Sequence, residues 1–235
     1  MRKPRVGDVI VLVIIVVIAG ILLVSASPKL SRFLTGNARV EDVPASQVRT
    51  RLEGLAVRDW VEVPEYNREA FGQAWADEDH NGCDTRNDVL ARDMKAVAYR
   101  DATHNCVVEA GILEDPYTSQ TIYFERGADT SAVVQIDHVV ALADAWYAGA
   151  WEWDIPTRQK FANDQRNLLA VSGDANQDKG HLTADQWLPE NKAYHCAFIG
   201  RQVWVKSEWD LSVTRKERQA MINVLADCPV VEIAK

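Results

Sequence analysis

Most of the chain beyond residue 43 shows the apolar periodicity of helices or the short apolar runs of strands. Apolar residues spaced three or four apart predict helices, and short runs bounded by turn residues predict strands. The predicted helices are 43–55, 86–99, 141–149, 156–161, 173–179 and most of 183–227. The predicted strands are 106–113, 121–126, 133–140 and 167–171. This mixture predicts an α+β fold that is mostly helical.

The N-terminus differs from the rest of the chain. Residues 9–24 form an uncharged run rich in Val and Ile, preceded by three basic residues, Arg2, Lys3 and Arg5. Such a run is typical of a secretory signal or, at ~20 residues, of an uncleaved membrane anchor, and both interpretations stay open. In either case the basic flank stays inside and the remainder is exported. We expect residues 1–28 to be this signal or anchor, which contacts the membrane through 9–28 if it is uncleaved. Residues 29–43 are then a tether and 44–235 one domain.

The chain has four cysteines, Cys83, Cys106, Cys196 and Cys228. An even number in an exported chain indicates two disulfides, for which three connectivities exist. The pairing Cys83–Cys106 and Cys196–Cys228 is favoured because each pair closes a short loop.

The charge balance limits what the domain binds. The formal net charge is −8, although 47% apolar and 26% charged residues is an ordinary globular composition. Tight nucleic-acid binding depends on Lys and Arg neutralising phosphates, so an acidic chain predicts weak, salt-sensitive contact or phosphate charge carried by a metal. The sequence contains neither a glycine-rich phosphate loop nor a Gly-x-Ser-x-Gly elbow, which argues against an NTPase and a serine hydrolase.

Two polar elements interrupt the apolar strands. Asp137-His138 ends one predicted strand, and Asn167 opens the next, nine residues before Asn176 in an Asn-x-x-Lys-Gly sequence. Carboxylate and amide oxygens suit a hard divalent cation, and a neutral histidine can take a proton from water. These groups together are what metal-assisted phosphodiester hydrolysis requires. Neighbouring strand residues point to opposite faces, so we expect a bend or bulge after Asp137.

The order and spacing of these elements resemble those of the HNH endonucleases, which have the His-Me finger or ββα-metal fold. More closely, residues from about 82 to 228 are similar to exported actinobacterial HNH proteins. Those are related to the C-terminal nuclease domain of GmrSD-type modification-dependent restriction enzymes. The matching segments are 81–87, 135–142, 161–164, 167–180 and 187–189. The resemblance implies an HNH ββα-metal core at about 133–180 within a mostly helical surround.

The resemblance also implies a role for each matched residue. His138 would be the general base that activates water. Asp137 and Asn176 would bind one divalent cation, Mg²⁺ or Mn²⁺ from their oxygen donors. Asn167 would bond across the loop and orient the backbone of the histidine rather than touch substrate.

Two basic residues are candidate phosphate contacts. Lys179 lies one helical turn beyond Asn176 and therefore on the same face. Arg86 rests on the Cys-Asp-x-Arg pattern of the family, and its alternative is a structural salt bridge with Asp84 or Asp88.

The sequence thus predicts a metal-dependent endonuclease that hydrolyses DNA phosphodiesters outside the cytoplasm, with no obligate protein partner evident. One alternative is a catalytically silent binding or envelope module on the same fold, against which the intact polar residues argue. Another is a zinc-stabilised interaction domain, because four residues have the donor types of a zinc site: His80, Cys83, His104 and Cys106.

Overall fold

The computed structural model describes residues 36–59, 62–128 and 130–231, together with Ile14, Ile15, Val17, Ile18 and Arg32. Nearly all of the predicted signal or anchor, and the tether up to residue 35 apart from Arg32, lie outside the described residues. No helix among the described residues combines the length and apolar character needed to cross a bilayer.

The described chain mixes helices with two small sheets. The α-helices are α1 (Gln47–Gly54), α2 (Thr85–Asp93), α3 (Leu142–Ala148), α4 (Ile155–Ala162), α5 (Gly173–Lys179), α6 (His195–Glu208) and α7 (Arg215–Leu225). The strands are β1 (Lys95–Tyr99), β2 (Val108–Glu114), β3 (Thr121–Glu125), β4 (Val134–His138) and β5 (Leu168–Ser172). The predicted α+β class is confirmed.

The strands form one antiparallel sheet in the order β1-β2-β3 and an antiparallel pair, β4 with β5. In that pair Asp137 lies opposite Leu169 and His138 opposite Leu168, and the register is regular throughout. Of the bend or bulge expected after Asp137, the bulge is wrong, and the backbone bends one residue later than expected, at Val139 and Val140. Both side chains reach one cleft without a bulge, because the strand ends beside the cleft.

Strand β5 is buried on both faces. Leu168 and Ala170 pack into the apolar core beneath the three-stranded sheet. Leu169 and Val171 face the core formed by α1, α6 and α7. Alternating side chains of one strand thus supply two cores, which explains its continuous apolar sequence.

Helix α5 begins directly at the end of β5. Ser172 caps it, its hydroxyl accepting from the Ala175 backbone N–H, and Gly180 ends it. A Cβ on Gly173 would lie 2.1 Å from the carbonyl oxygen of Ala132, so no larger residue fits this junction. The helix predicted at 173–179 is confirmed, and it holds Asn176 and Lys179 against β4.

The helix predicted at 86–99 is wrong in its second half. Helix α2 ends at Asp93, and Lys95–Tyr99 form β1. This edge strand is exposed at four of its five positions, so it shows no two-residue apolar alternation from which a strand could be predicted.

Residues 36–43 do not form a free tether. Ala38 and Val43 are buried in the core of the C-terminal helices. The Ala38 backbone N–H donates to the Asn223 side chain, and Gln219 donates to the Ala38 carbonyl. The tether prediction is wrong here because two isolated apolar residues in a polar stretch carry no periodic signal.

Both predicted disulfides are present. Cys83–Cys106 joins the start of α2 to the loop before β2, and Cys196–Cys228 joins α6 to the residues after α7. The alternative zinc site is wrong, because the sulfurs of Cys83 and Cys106 are bonded to each other.

Candidate active site

Asp137 is buried, and both oxygens of its carboxylate are bonded. Lys179 Nζ lies 2.8 Å from Oδ1, and the Tyr117 hydroxyl donates to Oδ2 at 2.5 Å. Burial raises the pKa of Asp137, while the Lys179 ammonium and the Tyr117 hydroxyl both favour its ionised form. Burial also raises the pKa of Tyr117 well above its usual range, so its hydroxyl stays a donor.

Tyr117 itself is positioned by Asp115, in the turn between β2 and β3. The Asp115 carboxylate accepts from the backbone N–H groups of Tyr117, Thr118 and Ser172. This fully buried carboxylate therefore ties the tyrosine turn to the end of β5. No local sequence pattern connects Tyr117 with Asp137, which lies 20 residues later.

His138 lies on the other face of β4 from Asp137. Its Nε2 lies 2.8 Å from the carbonyl oxygen of Ala162. A carbonyl only accepts, so Nε2 carries the proton and Nδ1 of the neutral ring keeps a lone pair. Burial lowers the pKa of His138 to about 4; the Ala162 bond opposes the shift, and the charges of Arg68 and Lys179 add to it. The ring is therefore neutral at pH 7.

Asn167 is buried and bonds twice to Val140, two residues after the histidine. Its Oδ1 accepts from the Val140 N–H at 2.8 Å, and its Nδ2 donates to the Val140 carbonyl at 3.0 Å. The Val139 N–H also donates to the Asn167 carbonyl. This asparagine fixes the backbone after His138 and does not line the cleft described below.

Asp137, His138 and Asn176 line one cleft of 430 Å³. Arg68 and His181 line the same cleft. The cleft thus combines a carboxylate, an amide, a neutral imidazole and a guanidinium, the set of groups needed to bind and hydrolyse a phosphodiester.

The oxygen donors of the cleft fit a divalent cation that keeps most of its water. Asn176 donates from Nδ2 to Gln135, and its Oδ1 accepts no bond from any described residue. Each Asp137 oxygen has one recorded partner, although a carboxylate has about four lone-pair sites in all. Mg²⁺ needs only one or two protein carboxylates or similar oxygens. The described residues contain no group of three or more His, Cys, Asp or Glu that could enclose a metal.

The structure argues against Lys179 as a phosphate contact. Its side chain is completely buried, and its ammonium bonds Asp137 and the His138 carbonyl. The sequence correctly predicts that Lys179 lies on the same side of α5 as Asn176. It does not predict that the Lys179 side chain points into the protein.

Arg86 also lies away from the cleft-lining residues. Its guanidinium donates to the carbonyl of Val134, at the start of β4. Among the described salt bridges, none joins Arg86 to Asp84 or Asp88, the alternative suggested by the sequence. Arg86 therefore supports the strand that carries Asp137 and His138.

Arg68 is the basic residue of the cleft that the sequence analysis missed. It is exposed, and its guanidinium bonds the Tyr66 hydroxyl. It pairs with no carboxylate among the described residues. The sequence gives no signal for it, because it reaches His138 from a short turn 70 residues earlier.

Comparisons with known proteins found similarity to a protein family and to a secreted protein. A model of the C-terminal domain of GmrSD restriction endonucleases matches residues 84–224, which include every residue of the Asp137 network. An uncharacterized secreted protein of Arthroderma benhamiae is 36% identical over 186 residues, covering 78% of this chain and 86% of the relative. No solved structure matches the chain.

Proposed function

The chain belongs to the family of GmrSD restriction endonuclease C-terminal domains, and from this premise we propose that it is an endonuclease hydrolysing DNA phosphodiesters. The observation that carries the proposal is the shared cleft of Asp137, His138 and Asn176. Asp137 and His138 are neighbours on β4, and α5 brings Asn176 to them from 38 residues further along the chain. A silent binding module would have no need of a neutral histidine so oriented.

His138 is the general base of the proposed reaction. The oxygen of a water molecule bonds to phosphorus, the water proton passes to Nδ1, and the bond from phosphorus to the leaving sugar oxygen breaks. Ala162 holds the proton on Nε2 and thereby keeps Nδ1 free to accept. Asn167 fixes the turn that follows and so keeps the ring in place.

Asp137 and Asn176 are the proposed ligands of one divalent cation, Mg²⁺ or Mn²⁺. When bound, the cation neutralises charge on the phosphate and on the leaving oxygen. Lys179 and Tyr117 orient the Asp137 carboxylate from behind, as outer partners of metal ligands commonly do. Arg68 supplies the phosphate contact that the buried Lys179 cannot.

We place this activity outside the cytoplasm. Two disulfides are typical of an oxidising compartment, and the relative that matches 78% of the chain is described as secreted. The leader predicted at 1–28 agrees with this location.

Nicking of supercoiled plasmid by the full chain tests the proposal. We expect nicked and then linear products with Mg²⁺ or Mn²⁺, and none with EDTA. His138→Ala should also leave the plasmid intact. Nicking that survives both EDTA and His138→Ala would contradict the mechanism, and the absence of nicking with every divalent metal would favour the silent module.

Calorimetric titration with Mn²⁺ tests the ligands apart from activity. Asn176→Ala should weaken binding about 10-fold or more, since one of two protein oxygens is lost. The matched control is Asn191→Ala, an asparagine outside the cleft that bonds Pro116 and Ala193. Equal Mn²⁺ affinity in the two variants would contradict the assignment of Asn176.

A further inference from the structure

A second cavity, of 350 Å³, opens on the far side of His138 from Asn176. Its volume is in the lower part of the range of ~300–1,000 Å³ that small-molecule sites occupy. His138, Arg68 and Leu142 line both this cavity and the cleft, so the two are neighbours that meet at the proposed base. The mechanism above leaves this cavity unused.

The walls of the cavity are mainly aromatic and apolar. Phe71, Leu142 and Ala162 form its buried part. Trp75 lies beside it, with its ring inclined by only 19° to the His138 ring and the two centroids 6.3 Å apart. Two nearly parallel aromatic planes beside an apolar cavity suit a flat, aromatic ligand group.

The rim of the cavity is held by hydrogen bonds. Gln159 accepts from the Gln73 backbone N–H, and Asn163 donates to the Gln73 carbonyl. Gly72 has a φ of 74°, and a Cβ there would lie 2.6 Å from the Gln159 side chain. The rim can therefore follow this path only with glycine at position 72, and the cavity is preformed.

Arg68 and Glu69 are the two charged residues of the cavity wall, and of these two only Arg68 also lines the first cleft. The exposed guanidinium lines both spaces and forms no salt bridge with a described carboxylate, although the chain as a whole is acidic. A cation at the junction of an aromatic cavity and a hydrolytic cleft matches a nucleotide, which joins a flat base to a phosphate.

We propose that the cavity beside Trp75 binds an unstacked nucleobase next to the phosphate that is cleaved. This inference rests on the proposed nuclease function and names its substrate class: a nucleic-acid strand that presents an unpaired nucleotide. A duplex must first expose the base by breaking its stacking and pairing, which should weaken binding ~10-fold or more.

Fluorescence anisotropy of the full chain in EDTA tests the inference, with gels to verify that the strands stay intact. The probes are a labelled single-stranded oligonucleotide, a single strand of the same length made entirely of abasic sites, and the fully paired duplex. We expect the single strand to bind at least about 10-fold tighter than the duplex. The abasic strand should bind no tighter than the duplex, because it carries no base that could fill the cavity. Equal binding of all three probes would overturn the inference.

Three variants test whether the preference for single-stranded over duplex DNA arises from this cavity. Trp75→Leu should abolish it, and Ala74→Leu at the exposed rim should do the same without touching the core. Tyr147→Leu is the matched control, since this half-exposed ring lines the first cleft but not the cavity beside Trp75. A preference lost in Tyr147→Leu and kept in Trp75→Leu and Ala74→Leu would contradict the site.

Arg68→Gln tests the phosphate contact. It should weaken every probe and lower the slope of log affinity against log salt by about one, because one phosphate contact is lost. An unchanged salt slope would remove Arg68 from the site. Metal-dependent nicking with no strand preference would refute the cavity alone, whereas strand preference without nicking would refute only the nuclease mechanism.

Discussion

Lys179 and Lys206 are both completely buried, yet their ammonium groups meet different sets of charges. Lys179 pairs with one carboxylate, that of Asp137, at 2.8 Å. Lys206 lies between two, with Asp144 at 2.9 Å and Glu217 at 2.7 Å. The Lys179 pair is balanced, whereas the Lys206 cluster has one formal negative charge in excess.

The elements that each lysine joins differ as well. Lys206 on α6 connects α3 and α7 through their carboxylates, so it fastens three helices together. Lys179 on α5 connects to β4 and holds a carboxylate that still reaches the cleft. A buried lysine–carboxylate pair can thus stabilise a helical core or orient a carboxylate proposed to bind a cation, according to where its anion faces.

The largest expected difference between the two lysines is the loss of stability when each is replaced by methionine. Lys206→Met leaves two buried carboxylates without a cation and should lower the free energy of unfolding by about 3–5 kcal/mol. Lys179→Met leaves Asp137 with Tyr117 and access to cleft water, so we expect a loss of about 1–3 kcal/mol. Urea unfolding of both variants measures this, and an equal or larger loss for Lys179→Met would break the comparison.

Activity should reverse that order. Lys179→Met should slow single-turnover DNA cleavage about 10–100-fold, because Asp137, the proposed cation ligand, loses its orienting partner. Lys206→Met, assayed well below its melting temperature, should stay within about threefold of the unmodified chain, since its partners Asp144 and Glu217 do not line the cleft. A larger loss of cleavage in Lys206→Met than in Lys179→Met would contradict the assignment of Lys206 to the helical core and of Lys179 to the cleft.

The excess charge around Lys206 predicts a pH-dependent stability. Burial raises the pKa of Glu217 from 4.5 to about 7, and the charge of Asp144 adds to the shift against the opposing Lys206. Asp144 and Glu217 line a cavity of 160 Å³, and the charged residues Arg58 and Asp59 line it as well.

The pKa of Glu217 is higher in the folded chain than its ordinary value of 4.5. The stability that the protonated Glu217 contributes is therefore fully present below pH 4.5 and is lost as pH rises through about 7. We expect Glu217 to contribute a fall of about 1–2 kcal/mol in the free energy of unfolding between pH 5 and 8. This contribution is measured as the difference between the unmodified chain and Glu217→Gln, because the lowered pKa of His138 gives an opposing rise below pH 6.5. Glu217→Gln should remove that slope, as urea titrations at several pH values would reveal. An identical slope in the variant would show that Glu217 stays ionised beside Lys206.

The local pattern of the sequence predicts part of this site well. Helix α5 has the predicted bounds, because a strand-ending serine, two glycines and polar spacing mark its ends within a few residues. Asp137 and His138 lie at the end of a predicted strand and Asn176 lies in this predicted helix. In the structure all three line one cleft.

Contacts between distant segments could not be predicted in this way. Tyr117 reaches Asp137 from a turn, and Arg68 reaches His138 from another, with no periodic pattern to mark either. The burial of Lys179 was also hidden, since a lysine near a helix end ordinarily extends into solvent. Only the packing of α5 against β4 turns its ammonium inward.

Hydrolysis through His138 is tested most directly by single-turnover cleavage of one labelled DNA strand with Mn²⁺, comparing two histidine variants. His138→Ala and His181→Ala remove side chains from the same cleft, but only His138 is buried with its Nε2 bonded to a carbonyl. We predict a loss of about 10²–10⁴-fold for His138→Ala, as for a general base, and less than about threefold for His181→Ala. Equal losses, or a larger loss for His181→Ala, would contradict the assignment of His138 as the base.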